Sequence, residues 1–169
     1  MVQSLTLGAT THGGREAVAP PADFFRIFSA YRHDDAQWQD AQAELFLLKM
    51  LPDDFESRPG AAKLMAKMVA GFNSVERSQA GIDGQLAALG RFNTTSSLEA
   101  GEFAQTPMLV VHGDRDSVMD VENGRSIARR ASHSELAVLE GAGHFWWHFD
   151  PINTARRVAG FMERHEPHQ

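Results

Sequence analysis

"TPMLVVHGDRD", residues 106–116, is the stretch on which the fold turns. Pro107 opens an unbroken apolar run, and Gly113 closes it. A strand with one wet face alternates apolar and polar residues. An unbroken run of this length, bounded by turn residues, is how a strand covered on both faces reads. Two acids, Asp114 and Asp116, follow at once. Downstream, "VENGRSIARR" (121–130) reads as a short helix, and "SELAVLEGAGH" (134–144) as a second strand with a glycine-flanked loop. "DPINTARRVAGFMERH" (150–165) reads as a closing helix, with Asp150 as N-cap and Pro151 at its first position. Strand–helix–strand–helix with short connections means a parallel sheet flanked by helices.

Upstream, Val2–Leu7 is a β-type apolar run ending at Gly8. "ATTHGGREAVAPP" (9–21) is a loop rich in small residues, glycine and proline. The period then becomes helical. Phe24, Phe25, Ile27 and Phe28 share one face. So do Trp38, Ala41, Leu45 and Leu48, then Leu64, Met65, Met68 and Val69, then Ile82, Leu86 and Leu89. Residues 20–100 therefore read as a helical cap inserted between two strands. Residues 1–19 and 101–169 read as the core, an α/β arrangement with a partial parallel sheet of about three strands.

Composition narrows the function. The chain has 169 residues, 43% hydrophobic and 22% charged, which suits one globular domain rather than disorder. A net charge of −6 speaks against nucleic acid or an anionic membrane as partner. With no cysteine there is no disulfide, thiolate metal site or cysteine nucleophile. No run reaches transmembrane length and the first residues lack signal-peptide form, so a cytoplasmic location is expected. No cofactor and no metal is expected. His144 and His148 are four apart, but there is no H-E-x-x-H and no third ligand in sight.

Loops at the carboxyl ends of parallel strands collect functional groups. Here those loops carry Asp116 and His144, an acid followed by a histidine 28 residues later. A carboxylate can hold an imidazole in one tautomer and stabilise its protonated form. Gly141 and Gly143 let the histidine loop bend over the sheet edge. Phe145, Trp146 and Trp147 wall a pocket or anchor that loop, and Met65 and Met68 are candidates to line an acyl pocket. Asp114 reads as a turn residue. His12, His33, His112, His133, His165 and His168 are scattered, with surface or loop roles expected for most.

At these residues the chain resembles the α/β-hydrolase family. "TPMLVVHGDRD" resembles that family's strand seven and acid loop, and "ENGRSIARRASHSELAVLEGAGH" its helix, strand eight and histidine loop. "VQSLTLGATTHGG" resembles strand six and the start of the cap. The resemblance implies Asp116 as triad acid and His144 as triad base. It also implies a G-x-S-x-G nucleophile elbow, which is missing here. Ser126 in "GRSIA" comes nearest, but it sits inside a predicted helix and not after a strand. "THGG" (11–14) imitates an oxyanion loop, yet no elbow follows it.

The expectation is the C-terminal part of a serine hydrolase of esters, lactones or similar acyl bonds, inactive alone. An aspartate elbow is the variant nucleophile. The alternative is a non-enzymatic binding or assembly module. A homo-oligomer through the Val2–Leu7 edge is expected, or an N-terminal half supplied by another chain.

Overall fold

The computed structural model describes residues 2–29 and 36–166. Met108–Gly113 forms the middle strand, β2, and every residue of it is buried. Leu5–Gly8 (β1) pairs along one side and Ser134–Leu139 (β3) along the other, both parallel, in the order β1-β2-β3. The first strand starts at Leu5 and not at Val2. Leu5 lies opposite Met108, so earlier residues face the turns that precede β2 and have no ladder to join.

Side-chain alternation gives β2 two covered faces, while Leu136 and Val138 of β3 are exposed. Leu109, Val111 and Ala137 pack under Phe161 and Val158 of the closing helix, Pro151–Arg164. Met108, with Leu5 and Leu7, packs against Leu98, Phe103 and Ala131.

Among the described residues five α-helices lie between β1 and β2: α1 (Ala22–Ser29), α2 (Ala36–Lys49), α3 (Ala61–Asn73), α4 (Gln79–Arg91) and α5 (Thr95–Glu99). After β2 come α6 (Val121–Arg130) and α7 (Pro151–Arg164). Asp120 caps α6 by accepting from Glu122 N–H, and Asp150 caps α7 by accepting from Asn153 N–H. The insertion has its own core of Leu47, Leu51, Phe55, Ala61 and Met65.

One helical stripe differs from the sequence expectation. On α2 the buried line runs through Ala43 and Leu47 and on to Met50 just past the helix, while Leu45 is 49% exposed. Both stripes have helical spacing. Small Ala43 lets its own side of the helix approach its neighbours, and that side is buried. The side chains of Phe28 and Trp38 lie outside the described residues.

The loop after β1 is clamped to α6 by Asn123, which is 1% exposed. Its Oδ1 accepts from Val18 N–H at 2.9 Å and its Nδ2 donates to Val18 O at 2.9 Å, as a strand neighbour would. Among the described residues no helix is long and apolar enough to cross a membrane.

Candidate active site

Asp116 leaves β2 by a tight turn with its side chain wholly inaccessible. Oδ1 accepts from the Val118 and Met119 N–H groups at 2.9 and 2.8 Å. Oδ2 lies 2.9 Å from His144 Nδ1 and 3.2 Å from His112 Nε2. Burial opposes the charge. The hydrogen bonds from His112 and His144, the charge on His144 and the Met119 N–H outweigh it, holding the carboxyl down at about 2. An ionised Oδ2 can only accept, so His144 Nδ1 carries a proton, and in the neutral ring Nε2 presents a lone pair. The His144 side chain is 21% exposed.

The two loops are fastened to each other. Gly141 N–H donates to Asp114 Oδ1 at 2.7 Å, and Arg115 N–H donates to Ala142 O at 3.0 Å. Asp114 is thus a strut of the histidine loop. Gly141 has φ +72°, and a Cβ on Gly143 would lie 2.9 Å from Met50 O. A Cβ on Gly113 would lie 2.2 Å from Ala142 O. Both loops are also tied to the helical insertion. Ser117 Oγ donates to Lys49 O and Phe145 N–H to Met50 O, each at 2.9 Å. The Arg58 guanidinium sits 3.9 Å from the centre of the Phe149 ring, while Asp54 pairs with both Arg58 and Arg115.

The aromatic run divides its labour. Phe145 packs against both the insertion core and the Met50–Val118–Met119 cluster. Trp146 packs under the sheet with Leu109 and Val111, and its Nε1 is buried without a partner. Trp147 is 42% exposed and packs, tilted, against Phe145 with ring centres 4.9 Å apart. Met65 is buried within the insertion core and Met68 packs at its margin. Among the described residues no group of three or more histidine, aspartate or glutamate side chains is placed to hold a metal.

Two of the scattered histidines, for most of which surface or loop roles are expected, are buried. His112 is wholly buried at the end of β2, beside Asp116. His12 is 1% exposed, with Nε2 2.9 Å from Ser126 Oγ and Nδ1 2.9 Å from Thr95 Oγ1. Burial, then the nearby Arg130 charge, lowers the His12 pKa, which suits a neutral bridging ring. Arg130 also donates to Ser126 Oγ, so that hydroxyl is already engaged twice, and Ser126 is 7% exposed. It joins α6 to His12, which in turn reaches α5 through Thr95. The "THGG" donors are engaged as well: Gly13 N–H bonds to Thr11 Oγ1 and Gly14 N–H to Phe92 O. His33 and His168 lie outside the described residues.

A profile of the alpha/beta hydrolase fold matches residues 2–151. The chain belongs to the alpha/beta hydrolase fold family. Among solved structures it is similar to MGS-M2, an alpha/beta hydrolase enzyme from a Medee basin deep-sea metagenome library. That likeness has a TM-score of 0.68 and 12% identity, over 100% of this chain and 59% of the other. It is also similar to a thermophilic esterase from Thermogutta terrifontis, with a TM-score of 0.69 and 17% identity, over 97% of this chain and 57% of that one. At these identities the likeness is one of fold. An uncharacterised Mycobacterium tuberculosis protein, Rv2715, is 33% identical over 61 residues, which are 36% of this chain and 18% of that protein. The chain thus spans less than two thirds of the length of each of these proteins.

Proposed function

We propose that this chain supplies the acid and base of a hydrolase acting on an ester, lactone or similar acyl bond. The supporting observation is the 2.9 Å contact between His144 Nδ1 and a fully buried Asp116 Oδ2, with Nε2 left free. In this reading His144 Nε2 takes the proton of an attacking hydroxyl and later returns it to the leaving group. Asp116 fixes the tautomer and stabilises the imidazolium formed between the two transfers. The nucleophile comes from outside the residues of this sequence, which hold no G-x-S-x-G.

Hydrolysis of p-nitrophenyl butyrate tests this. The chain alone should stay at the buffer rate, because in this reading the nucleophile and the oxyanion donors are supplied from elsewhere. Joined to a segment carrying strand five and a serine elbow, it should turn over, and His144→Ala should abolish that turnover. Turnover by the chain alone that vanishes in Ser126→Ala would replace this reading with one built on Ser126.

A second reading, assembly, rests on β1. Among the described residues β1 pairs with β2 alone. Leu5 and Ala9 donate their N–H groups to Pro107 O and Val111 O, so by alternation Thr6 and Gly8 turn theirs to the open side. An open strand edge is a template for another strand. We propose a homodimer closed through this edge, with an N-terminal half from another chain as the other occupant. Sedimentation at micromolar concentration should find the dimer. Thr6→Pro removes one outward donor without touching the β2 ladder and should yield monomer. A monomer before substitution counts against the homodimer.

A further inference from the structure

The Asp116 carboxyl is held unequally. Two backbone N–H groups hold Oδ1, and the two oxygens turn together about the Cβ–Cγ bond. On the Oδ2 side the contacts are His144 and His112. We propose that His112 is a positioning residue: its Nε2–H, bonded to Met119 O at 2.7 Å and lying 3.2 Å from Asp116 Oδ2, backs the carboxyl so that Oδ2 meets His144 Nδ1. The inference rests on the acid–base reading of Asp116 and His144.

Three features of the ring carry it. Met119 O can only accept, so Nε2 bears the proton and its direction is fixed. The ring has no room to turn: it is wholly buried, and a Cβ on Gly124 of α6 would lie 2.7 Å from Nδ1. Finally, Nδ1 is buried with no hydrogen-bond partner. A bare buried polar atom is unfavourable, and an aliphatic side chain would fill a buried strand position without it. The imidazole's polar contribution is concentrated at Nε2, where it touches the acid and the turn that pins the acid.

The test is proton NMR of the chain itself, following the imidazole N–H of His144 that is bonded to Asp116. Thermal melting is recorded alongside. Asp116→Asn should abolish the signal. His112→Leu should speed its exchange with water roughly tenfold, the equivalent of about one hydrogen bond, in protein that still shows a folded amide spectrum. His112→Gln, which restores a donor, should recover most of the protection. Gly124→Ala presses on the ring without removing it and should shift the signal, so the question stays open to test even if His112→Leu does not fold. If His112 merely packs, melting falls in these variants while the His144 signal keeps its position and exchange rate; that result overturns the inference. A signal that survives Asp116→Asn overturns the acid–base reading beneath it instead.

Discussion

Gly113→Ala should detach the histidine loop from the acid loop and destabilise the chain by about 3 kcal/mol, the upper part of the range for forcing an added carbon into a packed site. The new Cβ would sit 2.2 Å from Ala142 O and 2.6 Å from both Ala142 C and Gly143 O. These are backbone atoms, not the far end of a flexible side chain, so a rotamer change cannot relieve them. Nor can the loop drift away freely. Arg115 N–H holds Ala142 O, Asp114 Oδ1 holds Gly141 N–H, and Met50 O holds Phe145 N–H. Whatever yields, one of these bonds lengthens and His144 moves off Asp116. Gly71→Ala on α3 is the matched control, since its added Cβ meets nothing within 4 Å. Helix propensity alone should make that change neutral, or stabilising by up to about 1 kcal/mol. Urea titration of the two variants decides the matter: a Gly113→Ala midpoint equal to that of the parent would show that the loops are not in contact as described.

That contact also marks how far the sequence could be read. The parallel sheet was legible because a strand buried on both faces leaves an unbroken apolar run, and Met108–Val111 has one. Asp116 and His144 were legible because each follows a strand at the end where parallel strands gather their loops. Asp150 and Pro151 announced α7 by their order alone. His112 was not legible. Inside an apolar run a histidine gives no sign of whether its nitrogens find partners, and Met119 O and Asp116 come within reach only through the turn after Gly113. The signal available was its spacing, four residues before the acid and at the mouth of the strand. His12 was hidden for a different reason: its partners Thr95 and Ser126 lie 83 and 114 residues away. The α2 stripe was ambiguous on principle, since two lines of apolar residues at helical spacing share that helix and only tertiary packing chooses between them.

Asp116→Asn should flatten the acid limb of the stability curve. The carboxyl is held at about 2 in the folded chain, against an ordinary value of 3.8. Burial works against that depression. Hydrogen bonds from His112 and His144, the His144 charge and the Met119 N–H produce it. The direction of the linkage follows. As pH falls below about 4 the unfolded chain takes up this proton before the folded chain does. The stabilisation is therefore complete above 3.8 and is lost as pH falls through 2. The pKa difference corresponds to roughly 2 kcal/mol. Asparagine keeps an oxygen for the Val118 and Met119 N–H groups but turns an amide toward His144 and His112, so the variant should be the less stable protein at pH 6, again by about 2 kcal/mol. Because asparagine does not titrate, the gap between parent and variant should close progressively from pH 5 toward pH 2. Asp23, Glu122 and Asp150 also have lowered pKa values, Asp23 and Glu122 chiefly through hydrogen bonds to Lys49 and Arg125 and Asp150 through its bond to Asn153. They are present in both proteins, and their share cancels in the difference. Urea denaturation of the pair at intervals across that range measures the gap directly. A gap that stays constant down to pH 2 would mean the Asp116 carboxyl titrates alike in the folded and unfolded chain, and the network drawn around it would have to be abandoned.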